Sequence, residues 1–383
     1  MTQATDREQE RTMRVGIPTE IKNNEYRVAI TPGGVAELAK HGHDVLIEDG
    51  AGTGSAISND DFAAAGARIV PSADDVWGEA DLLLKVKEPI APEYARMRAD
   101  QTIFTYLHLA ASRPCTDALL ASKTTSIAYE TVQLADGSLP LLAPMSEVAG
   151  RLAPQVGSYH LMRSKGGRGV LMGGVPGTAP AKVTVLGGGV SGINAAQIAA
   201  GMGADVTVFD LDVRKMRAVN AQFGGRVHTS YSTSLALEEA VVESDLVIGA
   251  VLIPGAAAPK LVSTDLVHRM RPGAVLVDIA IDQGGCFADS RPTTHDDPTF
   301  TVGETVFYCV ANMPGAVPRT STFALTGATL PYVLRIADKG WRGACTDDPA
   351  LAAGLSTHDG ELLNASVGDA LGIAAKSPES VLG

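Results

Sequence analysis

The stretch from Val183 to Asp210, VTVLGGGVSGINAAQIAAGMGADVTVFD, decides the fold. VTVL reads as a β-strand, and Gly187-Gly188-Gly189-Val190-Ser191-Gly192 fits the pattern G-x-G-x-x-G. INAAQIAAGMGA continues as a helix, and VTVF forms a second strand ending in Asp210, 18 positions after Gly192. Each part has a physical purpose. Gly187, Gly189 and Gly192 let the backbone turn sharply and approach a pyrophosphate, whose charge meets the free N–H groups of a helix N-terminus. An acid closing the second strand hydrogen-bonds ribose hydroxyls and repels a 2′-phosphate, so Asp210 points to NAD rather than NADP. Arg214 and Lys215 follow closely and leave some NADP use open.

Outward from this unit the same alternation continues. Further strands are expected over residues 245–249 and 274–277, with helices over 190–201, 213–222 and 235–243. A separate set precedes it, with strands over residues 13–17, 44–47, 81–86, 102–107 and 125–129 and helices over 35–41, 60–65, 92–98 and 116–122. Strands alternating with helices imply parallel sheets, so the expected fold class is α/β with two doubly wound, Rossmann-like domains. Residues 145–162 carry an apolar face at Met145, Val148, Ala149, Leu152, Ala153 and Val156. Pro154 should kink or split this helix, because an interior proline costs about 3 kcal/mol. A long helix is expected over residues 322–337, stopping at Gly340. The glycine-rich loop 166–180 lacks the Lys-Ser/Thr ending of a phosphate-gripping P-loop.

Composition narrows the function. The chain has 383 residues, enough for two domains. With 31 basic and 43 acidic residues its net charge is −12, which disfavours polyphosphate and anionic membrane surfaces as partners. Hydrophobic residues at 45% and charged residues at 19% support a substantial core. Cys115, Cys286, Cys309 and Cys345 show no metal-ligand spacing and read as buried, reduced thiols; no metal site is expected. The first twelve residues are charged and lack the apolar segment of an export signal, so a disordered tail and a cytoplasmic protein are expected. The glycine-broken stretch 183–209 is not a membrane span.

Ligands in open α/β sheets sit beyond the carboxyl ends of the strands. Lys87 lies just past one such end, with Lys85 as a competitor on the same face by the two-residue period of a strand. His108 follows the next strand, where an imidazole among apolar neighbours suits proton transfer. Arg27 sits in the polar loop TEIKNNEYRVAITP, and its fork can hold a carboxylate. Asp278 and Asp282 flank another strand exit beside Gly284 and Gly285, as active-site acids or as turn caps.

Taken together, these segments resemble the NAD-dependent alanine dehydrogenase family from Met13 essentially to the C-terminus. GIPTEIKNNEYRVAITP, ADLLLKVKEP, FTYLHLAAS, LAPMSEVAGR, DLVIGAVLIPG, AVLVDIAIDQGG and CVANMPGAVPRTST carry the resemblance, in order. It implies that Arg27 and Lys87 hold the substrate carboxylate and carbonyl, and that His108 and Asp282 serve the proton transfers. Asp210, Gly187, Gly189 and Gly192 would hold NAD, with Ser146, Lys215, Ser232 and Asn312 around it. The implied reaction interconverts L-alanine with pyruvate and ammonium, with glyoxylate as a possible side substrate. The implied substrate domain is discontinuous, residues 13–140 and 318–383, with the NAD domain at 141–317. A homohexamer is implied as well. The nucleotide-binding subunit of a proton-translocating transhydrogenase is the related alternative.

Overall fold

The structure is a computed structural model that describes residues 12–251 and 258–383. The expected disordered tail therefore lies outside the described residues except for Thr12, as does the LIPG part of DLVIGAVLIPG. The chain forms two compact units, Met1–Pro144 with Val317–Gly383, and Met145–Ala316.

The first unit contains β1 (Arg14–Ile17), β2 (Asp44–Glu48), β3 (Arg68–Val70), β4 (Leu82–Leu84), β5 (Thr102–Thr105) and β6 (Thr125–Ala128). The second contains β7 (Lys182–Leu186), β8 (Asp205–Asp210), β9 (Val227–Tyr231), β10 (Leu246–Gly249), β11 (Val275–Asp278), β12 (Thr299–Val302) and β13 (Thr305–Tyr308). The chain then returns to the first with β14 (Leu355–His358) and β15 (Glu361–Leu362). The sheet orders are β15-β14-β6-β5-β4-β1-β2-β3 and β12-β13-β11-β10-β7-β8-β9. Within each, the first strand of the unit has the second strand on one side and the fourth on the other, all parallel. This is the doubly wound order, and the reversal of winding at β1/β4 and at β7/β10 opens a ligand crevice at their carboxyl ends.

The second sheet shows why its strands were legible. Val183 and Val185, Val206 and Val208, Leu246 and Ile248, and Val275 and Val277 share one core. Leu186, Phe209, Val247 and Leu276 belong to the core on the other face. Alternate residues are thus buried on both sides, the pattern of a sheet covered by helices. The strands β3, β9, β12, β13, β14 and β15 were not anticipated. Their pairing is set by tertiary context, since β12 pairs antiparallel with β13 and β14 pairs antiparallel with β6 and β15.

Three expectations are corrected. The helix Ala143–His160 is one unbroken element with Pro154 buried inside it. Its packing outweighs the proline: Gly150 lies so close to the helix Val190–Gly201 that an added Cβ would sit 2.3 Å from the Ser191 carbonyl oxygen. Residues 92–98 form a short 3₁₀ helix, Ala91–Arg96, instead of an α-helix. The long C-terminal helix begins at Pro318, earlier than expected; it breaks where expected, at Gly340 with φ 69° and ψ 162°, and a second helical stretch continues from there to Asp347. Proline at its start, where the missing N–H costs nothing, explains the earlier beginning.

The two separated stretches of the first unit are joined through buried hydroxyls. Thr322 Oγ1 accepts the Val28 N–H at 3.1 Å and lies 2.8 Å from Ser55 Oγ, with Thr322 fully buried. Thr322→Val should leave that N–H unpaired and lower unfolding free energy by about 1–3 kcal/mol in urea titration, while Thr322→Ser should recover most of the loss.

Candidate functional site

The loops beyond β1, β4 and β5 bring charged residues to the carboxyl edge of the first sheet, and each is fixed by a glutamate. Arg27 is 2% exposed, and its guanidinium meets the Glu25 carboxylate in a two-pronged pair. Glu25 also accepts the Arg27 backbone N–H at 3.0 Å. The guanidinium charge survives burial because Glu25 opposes the desolvation. Arg27 is therefore a pre-oriented cation with one carboxylate partner built in.

Lys85 and Lys87 separate into different roles. Lys85 is 1% exposed, with its ammonium 3.0 Å from Glu20 and 2.8 Å from Glu93. Burial would lower its pKa, but the two carboxylates push it up to about 12. Glu20 in turn accepts the backbone N–H groups of Val86 at 2.5 Å and Lys87 at 3.4 Å. Lys85 is thus the buried counter-ion of the strand exit. The Lys87 ammonium has no hydrogen-bond or ion-pair partner among the described residues and remains available to a ligand. Glu88 pairs with Lys22, and its carboxyl is held low against burial by Lys87, Lys22 and His108.

His108 has φ 48° and ψ 40°, a left-handed backbone that costs a non-glycine residue about 1–2 kcal/mol. Its imidazole stacks on Tyr106, with centroids 5.8 Å apart and planes 6° from parallel. Tyr106 is itself pinned by its hydroxyl, which donates to the Leu141 carbonyl at 2.5 Å. Glu130, just past β6, accepts the N–H groups of Leu107 and His108.

The second unit carries the residues expected around a cofactor. The helix Val190–Gly201 begins at Gly189 with no side-chain cap, leaving its first N–H groups for an anion. A Cβ at Gly192 would lie 1.8 Å from the Gly187 carbonyl oxygen, so only glycine permits this turn. A Cβ at Gly189 would enter open space, the approach a pyrophosphate needs. Asp210 accepts the N–H groups of Gly188 and Asp212, each at 2.7 Å, and Lys215 lies 3.6 Å from it. Arg214 is engaged by Asp212. Ser232 donates its N–H to the Asp210 carbonyl at 3.1 Å. Asn312, with φ 65°, follows β13, and Ser146 is half-buried on the helix Ala143–His160. These residues fit a dinucleotide.

The acids after β11 also divide. Asp278 is fully buried and accepts from Ala280, Cys286 and Ser290, with burial pushing its carboxyl pKa up. It caps the loop. Asp282, in the 3₁₀ turn Ile279–Gln283 that Asp278 starts, is exposed. The four cysteines are free and buried.

The sequence matches "Alanine dehydrogenase/PNT, N-terminal domain" over residues 16–149 and the corresponding C-terminal domain over residues 153–365. The chain belongs to the alanine dehydrogenase/PNT family. It is 74% identical over 355 residues to an alanine dehydrogenase of Mycolicibacterium smegmatis, covering 93% of this chain and 96% of that one. It is 69% identical over 370 residues to one of Mycobacterium tuberculosis, covering 97% and 100%. A solved L-alanine dehydrogenase superposes with TM-score 0.91 at 50% identity, covering 94% of this chain and 99% of the other. A transhydrogenase from Sinorhizobium meliloti superposes at 0.77 with 26% identity, covering 92% and 99%. Members of the family thus share this doubly wound architecture across both names, and residues rather than fold separate them.

Sequence reasoning found the cations of the first sheet edge and missed Glu20, Glu25 and Glu130 that hold them. Glu20 and Glu25 stand in the same loop as Arg27, and Glu130 follows a strand end, so the strand-exit rule could have reached all three. Lys85→Met should cost about 3–5 kcal/mol at about pH 8, because it strands two buried carboxylates. Burial already raises the Glu20 pKa, and without Lys85 the folded state gains affinity for a proton there. The penalty should therefore shrink as pH falls toward about 5, measured by urea unfolding across that range.

Proposed function

We propose that the protein is an L-alanine dehydrogenase that uses NAD, catalysing L-alanine + NAD⁺ + water ⇌ pyruvate + NADH + ammonium. The observation that carries this reading is the set Arg27, Lys87 and His108 at the carboxyl ends of adjacent strands in a family whose close relatives bear that name. A carboxylate of the substrate pairs with the Arg27–Lys87 cations, and fixing it in place can supply about 7–11 kcal/mol of the barrier. Gly187, Gly189, Gly192 and Asp210 would hold the nicotinamide cofactor, which would supply a hydride acceptor for the substrate Cα. As the resulting imine takes up water, His108 exchanges a proton with the developing hydroxyl. Asp282 would orient the water or the amine, the role the family resemblance implies. Metal ions have no part in this scheme.

NAD is preferred over NADP because Asp210 presents its carboxylate beyond β8, where a 2′-phosphate would be repelled. Arg214, the cation that could offset this, is committed to Asp212. The glycines at 187, 189 and 192, with Ser146, Lys215, Ser232 and Asn312, complete the proposed cofactor set. We further assign a cytoplasmic homo-oligomer, a hexamer by family resemblance, without nucleic-acid or membrane partners. Among the described residues no helix is long and apolar enough to cross a membrane.

The deciding assay follows NADH absorbance with pyruvate plus ammonium, and with pyruvate alone. Loss only with ammonium is the expected result; no loss in either condition removes the dehydrogenase reading and favours a transhydrogenase-like subunit. His108→Ala should lower turnover by about 10²–10⁴-fold while NADH still binds. Glyoxylate should be accepted with reduced efficiency, since one methyl group is worth about 1–3 kcal/mol in an apolar pocket.

A further inference from the structure

We propose that Glu130 is the positioning residue of His108: it sets the imidazole for proton transfer by clamping the strained backbone beneath it. The inference rests on the assignment of His108 to proton transfer. Glu130 Oε1 accepts the His108 N–H at 2.6 Å, and both carboxylate oxygens lie 3.2 Å from the Leu107 nitrogen. These are charge-assisted hydrogen bonds on two successive N–H groups, at the point where the chain enters its left-handed turn. A histidine persists in that conformation only where its surroundings over-determine it, and strain of this kind gathers at functional sites. The same oxygen lies 3.9 Å from His108 Nδ1, beyond hydrogen-bond range.

This geometry separates the two functions of the residue. The clamp acts on the backbone and leaves both ring nitrogens without a hydrogen-bond partner among the described residues. The imidazole is held from below by Tyr106 and at its root by Glu130, yet its acid–base atoms stay free for a substrate. Were Glu130 simply the orienting acid of a hydrogen-bonded His–carboxylate pair, it would occupy Nδ1; here it does not.

The test compares kcat, KM for L-alanine and NADH affinity in Glu130→Ala, Glu130→Gln and His108→Ala. Glu130→Ala should lower kcat at least about tenfold, with KM and NADH affinity changed less than about threefold. Glu130→Gln keeps an oxygen that accepts the N–H groups and should recover part of the loss; it also carries the test if the alanine variant does not fold. Unchanged kcat in both Glu130 variants while His108→Ala is impaired would overturn the clamp alone. Parallel losses in kcat, KM and NADH affinity would also overturn it, as a general structural defect. Full turnover in His108→Ala would instead remove the assignment of His108, and the clamp's catalytic meaning with it.

Discussion

Lys85 carries a full charge into the interior of the first unit, and the arrangement of that unit's edge follows from how the charge is met. An isolated buried ammonium is prohibitive, so two carboxylates, Glu20 and Glu93, close on it within 3.0 Å. Glu20 has acceptor capacity left over and uses it on the backbone of Val86 and Lys87. Glu93 uses its own on the Ile90 N–H at 2.9 Å, tying down the 3₁₀ helix that follows. One buried ion cluster thereby fixes where β4 ends and from which point Lys87 projects. A hydrophobic residue in place of Lys85 could fill the volume, but the strand exit would lose the charge that both glutamates close on.

The same device recurs with different partners. Glu25 holds the backbone and the guanidinium of Arg27, and Glu130 holds the backbone under His108. Each cation offered to a ligand is anchored by an anion that faces main-chain N–H groups, where a carboxylate makes strong hydrogen bonds. This is pre-organisation by electrostatics on loops that would otherwise move. It also balances the local charge: Arg27, Lys87 and Lys22 would repel one another without these carboxylates. In the second unit the pattern is mirrored, since Asp278 caps the turn that presents Asp282, and Asp210 is tied to Gly188 and Asp212 while its side chain stays at the strand end.

Much of this was readable from the chain. The apolar runs VTVL, VTVF and AVLV produced buried central strands because each alternate residue has a core to enter. Lys87 and His108 were reachable because the strand-exit rule depends only on where an apolar run stops, whereas Arg27, in a polar loop that reads locally as solvated, drew its role from the family resemblance. What stayed hidden depends on distance in the chain. β14 pairs with β6, more than two hundred residues away, and local propensity carries no record of that. The helix across Pro154 persists because Gly150 admits the neighbouring helix backbone, a contact absent from any local window. The glutamates were visible as letters and invisible as partners: an acid in a polar loop looks solvated until the fold buries it beside a cation.

The distinction between a dehydrogenase and a transhydrogenase-like protein turns on the same edge. Both names occur in the family, and the fold is shared at 26% identity, so architecture cannot decide between them. A hydride exchange between two nucleotides requires binding and orientation but no proton shuttle to a small substrate. Interconverting an amine and a ketone requires a group that accepts and returns protons, and a cationic seat for a carboxylate. Maintaining His108 in a left-handed backbone costs stability, which its stacking on an anchored tyrosine and the Glu130 clamp offset. A protein with no proton to move would gain by relaxing that turn to an ordinary strand exit, whereas an amino-acid dehydrogenase is repaid for it in turnover.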